Sequence, residues 1–183
     1  MFFRENPYIV PTERQYALIG RVVAEWTLID HLINHLLGRL MGAYSFPMRA
    51  ITERLTGPAR EAALSLLTDI HRVRYAHQIL DEKGVAALAK VDRRYRALKR
   101  IRNDVAHLIW IRSNDEELFA TGLTAQLPNA KTGRWKEGAV VKNSEIQDWL
   151  NRLILFGNEI EAVLELLPER DDLAAVIPPP AQN

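Results

Sequence analysis

The chain predicts an all-α fold: an up-and-down bundle of four to five helices with a small β-hairpin inserted before the last helix. Three observations carry this. Apolar residues recur at helical spacing over four long stretches, the breaks between them hold glycine or proline, and the period changes only between Glu117 and Val141. With 183 residues, 48% hydrophobic and 26% charged, the chain is long enough for one core that buries roughly 70% of its unfolded surface. Residues 1–167 are read as a single helical domain and 168–183 as an extended, proline-containing tail.

Residues 1–11 form an irregular lead-in bounded by Pro7 and Pro11, after which Thr12 and Glu13 open a helix running to about Met41. Ile19, Val22, Trp26, Ile29, Ile33, Leu37 and Leu40 are its core stripe, and Leu28, Leu32 and Leu36 widen it to one side. Such breadth fits either a second protomer or a central place in its own bundle. Gly42 ends the helix. Ser45 to Leu55 is a short helix or turn-rich link interrupted by Pro47. Pro58 suits a first helical position, and Ala62, Leu66, Ile70, Val73 and Ile79 carry the next helix to about Asp81. Lys83-Gly84 breaks the chain before a helix from Val85 to about Ile111.

Leu118 to Thr121 and Ala139 to Val141 are read as short strands around the polar segment 129–133. Trp135 between Arg134 and Lys136 either stacks on a base or folds back onto its own domain. Ser144-Glu145-Ile146-Gln147 is a capping box for a last helix to about Leu167, with Trp149, Leu153, Phe156, Ile160, Val163 and Leu167 buried. Pro168 stops it, and Pro178 to Pro180 mark the tail.

The absence of cysteine excludes disulfides, cysteine-ligated zinc and a thiol nucleophile. No apolar run approaches a membrane span, and the first seven residues lack the core of a signal peptide, so a cytoplasmic location is expected. Phosphate loops and serine-hydrolase elbows are missing from the pattern. His31 and His35 stand at i, i+4, a spacing able to chelate, but no third ligand completes a pattern. Neither a metal nor a cofactor is expected.

A net charge of +1 exerts no global pull on nucleic acid, but residues 90–102 hold seven basic residues against Asp92. Along that helix Val91, Leu98, Ile101, Val105 and Ile109 share the buried side, and Arg93, Arg96, Lys99 and Arg100 form an outward ridge suited to a phosphate backbone. An ordinary solvated helix face would have the same composition. At the end of the ridge lies Arg102-Asn103-Asp104-Val105-Ala106-His107. Arginine offers a fixed fork of donors for a phosphate, and histidine exchanges a proton near neutrality. At i, i+5 the two do not stack on one face. Arg102 must reach outward over Ala106, while Asn103 and Asp104 are placed to touch and orient His107. The bland alternative pairs Arg102 with a carboxylate across a helix interface and sets His107 against a carbonyl near the helix end. Asp30 is a candidate carboxylate for fixing the Arg102 fork.

Arg102, Asn103 and His107, on a late helix that follows a long first helix, resemble the signature of the HEPN superfamily: arginine, a polar residue, then histidine four to six positions after the arginine. The resemblance spans about residues 12–166. It implies a dimerising helical bundle and, as in many members, a metal-independent endoribonuclease with two motif copies facing each other across the dimer. His107 would then transfer protons at the ribose 2′-hydroxyl or the leaving oxygen, Arg102 would hold the scissile phosphate, and Asn103 would orient or contact it. RNA is the implied partner, together with a homodimer and an antitoxin or regulatory protein in a defence or toxin-antitoxin setting. The alternative is a non-catalytic dimeric module that binds RNA or protein.

Overall fold

In the computed structural model, residues 9–43, 50–75, 78–122 and 138–168 are described. The 129–133 centre of the expected hairpin, Trp135 and the tail beyond Pro168 lie outside them. Among the described residues, four long helices, α1 (Glu13–Leu40), α2 (Gly57–Val73), α3 (Glu82–His107) and α4 (Asn143–Glu165), and a helical turn at 50–52 accompany three strands. The strands are β1 (Leu108–Arg112), β2 (Glu117–Gly122) and β3 (Ala139–Lys142), arranged as one antiparallel sheet in the order β1-β2-β3 before the last helix. The architecture is therefore broadly all-α with a small sheet. The chain divides into two compact units, Met1–Thr27 with Leu98–Ile154 and Leu28–Ala97 with Leu155–Asn183.

In the first unit, α1 starts where Thr12 and Gln15 satisfy each other's backbone. The Thr12 amide donates to Gln15 Oε1 at 2.9 Å, and the Gln15 amide donates to Thr12 Oγ1 at 3.2 Å. Gln15 is fully buried, and its Nε2 donates to the Asn114 carbonyl at 2.9 Å, which ties the β1–β2 turn to the helix start. Asn143 holds the same turn from α4, donating its side-chain amide to Asp115 O at 2.8 Å and its backbone amide to Glu116 O at 2.9 Å. Val22, Trp26, Leu98, Val105, Leu118, Ile146 and Leu150 are buried in this unit.

The start of α4 falls two residues earlier than the expected capping box puts it, and only one arm of such a box forms, because a lysine side chain has no acceptor. Glu145 Oε2 accepts the Lys142 amide at 2.8 Å, making Lys142 the cap and Glu145 the third helical position. Ile146 and Leu150 are fully buried, while Trp149 is only half-buried.

The expected hairpin is present as the antiparallel pair β2–β3, and β1 joins it as a third strand because α3 ends at His107 rather than near Ile111 and the chain passes directly into β1. Residues 108–112 pair in register with 118–122, so their backbone groups leave the helical ladder for the strand ladder. The period of two then turns Ile109 outward. It is 41% exposed, on the face that carries the cross-strand row Ile111, Phe119 and Val140. The opposite face buries Leu118, Ala120 and Val141.

In the second unit, α1 buries Ile29, Ile33, Leu36 and Leu37, whereas Leu28 is half-exposed. Its C-terminus closes at Gly42, whose φ of 60° suits glycine, with Gly42 N–H bonded to Arg39 O at 3.0 Å and Ala43 N–H to Gly38 O at 3.3 Å. The expected apolar face of α2 is overturned: Leu66 is 62% and Val73 74% exposed. The buried face is Arg60, Leu64, Thr68 and His71. Polar side chains occupy it with partners of their own: Arg60 has Asp30 and Asn34, Thr68 bonds Leu64 O at 2.8 Å, and His71 Nε2 lies 2.9 Å from Leu40 O, while His71 Nδ1 is buried without a partner among the described residues. The helix also ends at Val73, not Asp81. Asp81 instead caps α3, its Oδ1 accepting the Gly84 amide at 2.7 Å, so Gly84 lies inside the first turn rather than marking a break.

Candidate functional site

The last turn of α3 is held from its buried side. Leu98 and Val105 are almost fully buried and Ile101 half-buried, so Asn103, Ala106 and His107 are left exposed, with Arg102 between the two environments. Helix ends leave carbonyls without an intrahelical donor, and here the Trp110 indole N–H donates to Val105 O at 3.0 Å. Trp110 thus pins the helix end to β1, and His107 stands as the last helical residue.

Arg102 and His107 come together. Arg102 Nη1 lies 3.4 Å from His107 Nε2 and donates to Asn103 Oδ1 at 3.2 Å. A flexible arginine therefore bridges the about 140° that i, i+5 spacing puts between the two positions. The sequence placed Asn103 against the histidine; in the structure it meets the arginine, and Arg102 itself reaches His107. Asp104 lies in the same helical turn by backbone, but its side chain is outside the described set, as is that of Arg100. The three described side chains combine a proton-transfer group, a permanent cation and an amide within one exposed turn. Such a set can bind an oxyanion and exchange a proton beside it.

Asp30, the candidate second carboxylate, has other partners within its own unit. Its Oδ1 pairs with Arg60 Nη1 at 3.0 Å and accepts the Tyr95 hydroxyl at 3.1 Å, while Arg60 Nε donates to Asn34 Oδ1 at 2.9 Å. Tyr95 is 1% exposed. Burial, with the Asp30 carboxylate adding to it and Arg60 opposing, pushes its hydroxyl up to about 12. No sequence signal exposed this cluster, because Arg60 and Tyr95 sit at positions whose neighbours are distant along the chain.

The basic run of α3 is partly neutralised. Arg96 pairs with Asp92, and Lys90 and Arg94 share Glu159 Oε1 at 2.8 and 2.6 Å. The Arg94 guanidinium also lies 5.5 Å from the centroid of the Phe156 ring. Arg93 is exposed and Lys99 half-buried. His31 and His35 have ring centroids 4.7 Å apart, and among the described residues no group of three or more potential ligands gathers to hold a metal. Nor, among those residues, is any helix long and apolar enough to cross a membrane.

The fold and this turn define a small helical protein with a three-stranded sheet and an exposed Arg-Asn-His constellation at the helix-to-strand junction. Comparison of the chain with protein-family models, curated proteins and solved structures finds no match.

Proposed function

We propose that the protein is a metal-independent endoribonuclease of HEPN type, working as a homodimer with two copies of the motif lining one cleft. The observation that carries the reading is the meeting of Arg102 and His107 on one helical turn, 3.4 Å apart, in a sequence that resembles the HEPN signature. His107 takes the proton of the ribose 2′-hydroxyl, and that oxygen attacks the adjacent phosphorus. The 5′-oxygen leaves with a proton from the imidazolium of the facing motif, and a 2′,3′-cyclic phosphate remains. Arg102 holds the phosphate and offsets charge as it builds on the equatorial oxygens, while Asn103 steadies the guanidinium. Positioned proton transfer contributes roughly 100- to 10,000-fold in rate. Lys99 and Arg100, in the same unit as the motif, and Arg93 and Arg96, earlier on the same helix, are assigned to the RNA backbone. An antitoxin or other regulatory protein would restrain the activity.

A non-catalytic module that docks protein or RNA is the second reading. The open apolar sheet face of Ile109, Phe119 and Val140 favours it. The test incubates the full chain with mixed tRNA and single-stranded RNA in chelator, beside His107→Ala. Cleavage by the unsubstituted protein alone, leaving cyclic-phosphate ends, is the expected result. If two folded dimers both leave the RNA intact, the nuclease reading is lost to the docking module.

A further inference from the structure

The contact between Arg102 and His107 fixes more than proximity. A guanidinium has five N–H donors and no acceptor, and it stays cationic at every pH a folded protein survives. Its approach to Nε2 at 3.4 Å is attractive only if that nitrogen presents its lone pair. We propose that Arg102 holds the neutral His107 imidazole in the form protonated on Nδ1 and covers its basic nitrogen until an RNA phosphodiester draws the guanidinium away. The proposal rests on the ribonuclease reading and adds its regulation: the base is uncovered by the group it acts beside.

Magnitudes favour the exchange. The two contacts Arg102 makes, 3.4 Å to His107 and 3.2 Å to Asn103, are longer than the roughly 2.9 to 3.0 Å usual for such bonds, and both are exposed to water. An arginine-to-phosphate bond is about 2.7 to 2.9 Å, frequently two-pronged, and pairs the guanidinium with an opposite charge, whereas the neutral imidazole and the Asn103 amide offer it only uncharged acceptors. A phosphate oxygen in reach therefore outcompetes the imidazole. Two features let the swap occur without moving the backbone. Arginine has a long flexible stem, and His107 is the last helical residue, so no following helical turn closes over its ring. Asn103 remains as a lateral acceptor for the guanidinium in either position.

Nitrogen NMR of the full chain, with the His107 ring resonances assigned by comparison with His107→Ala, reads the tautomer directly. The probes are inorganic sulfate and a single-stranded deoxyoligonucleotide, which has the diester backbone but no 2′-hydroxyl to attack. In the ligand-free protein with the ring neutral, Nε2 should be the unprotonated nitrogen. Both probes should shift its resonance saturably, and in Arg102→Ala the ligand-free resonance should already be displaced and respond to neither probe. Urea midpoints confirm that the variant is folded. A proton on Nε2 in the neutral ring, or an Arg102→Ala spectrum that responds like the unsubstituted protein, would overturn the proposal. A response to sulfate without one to the oligonucleotide would overturn the assignment to a diester. Should the tautomer and exchange appear as expected while RNA stays intact, the nuclease reading fails and the covered base stands.

Discussion

Removing the Asp30 carboxylate tests whether the buried polar cluster of the second unit is a structural keystone. Asp30 pairs with Arg60 at 3.0 Å, with side-chain exposures of 29% and 10%, and accepts the Tyr95 hydroxyl at 3.1 Å. Leaving one partner of a buried pair unmatched costs about 3 to 5 kcal/mol, and orphaning a hydroxyl adds about 1. The partial exposure of Asp30 and the bond Arg60 keeps to Asn34 pull the total down, so Asp30→Ala should lose about 3 kcal/mol. For a chain of this size that corresponds to about 6 to 12 °C in melting temperature. In urea the midpoint should fall while the slope stays constant. The sign of the coupling is the sharper test. Asp30→Leu with Arg60→Met removes both charges and keeps apolar volume, an exchange that is neutral or stabilising in other buried pairs. The double variant should therefore be more stable than either single one. An Asp30→Ala midpoint within about 0.5 kcal/mol of the unsubstituted protein, or strictly additive singles, would refute the reasoning.

Tyr95 supplies a pH signature. Its hydroxyl is raised from 10.0 to about 12, so between those values the folded state binds more protons than the unfolded one and stability falls as pH rises. The contribution is intact below pH 10, is worth at most about 2 to 3 kcal/mol, and should vanish from the alkaline limb of the unfolding profile in Tyr95→Phe. On α2, Leu64→Ala should cost about 2 to 5 kcal/mol and Leu66→Ala less than about 0.5, because Leu64 is fully buried and Leu66 62% exposed; chemical denaturation that ranked them in the opposite order would contradict the assigned face. A Cβ at Gly138 would collide with the Phe119 ring and sit 2.8 Å from Ala120 O, so Gly138→Ala should destabilise by about 1 to 3 kcal/mol, read from its thermal midpoint. His107→Ala should leave stability within about 0.5 kcal/mol, since the side chain is exposed, while lowering RNA cleavage by about 100- to 10,000-fold in a gel assay; a large loss of stability would make His107 a structural residue.

The long helices were legible because their buried sides repeat with the helical period. Val22, Trp26, Ile29, Ile33 and Leu37 in α1, and Leu153, Phe156, Ile160 and Val163 in α4, are buried where periodicity put them. The motif turn was legible for the same reason: Leu98 and Val105 claim the inner side, which leaves His107 outside. Periodicity failed where polar groups are buried in pairs. Arg60 and His71 displace Leu66 and Val73 from the buried face of α2 because Asp30 and Asn34 hold Arg60 and the Leu40 carbonyl meets His71 Nε2, and those partners lie tens of residues away. The end of α3 was missed because Leu108 to Ile111 suits helix or strand equally by local pattern.

By itself, the sequence determined the helical class, the place of the sheet before the last helix, the outward direction of His107 and the chemistry available to the Arg-Asn-His turn, since all of these follow from local period and side-chain type. Tertiary structure decided where α3 stops, because pairing with 118–122 gives residues 108–112 a ladder the helix cannot offer, and Trp110 then caps Val105. It also decided which cations are spent on Asp92 and Glu159, and that Arg102 rather than Asn103 covers the histidine. Each depends on groups far apart in the chain or on the reach of a flexible side chain, and the physical reason is the same in every case: a polar group settles on whichever partner the folded chain brings within hydrogen-bond distance.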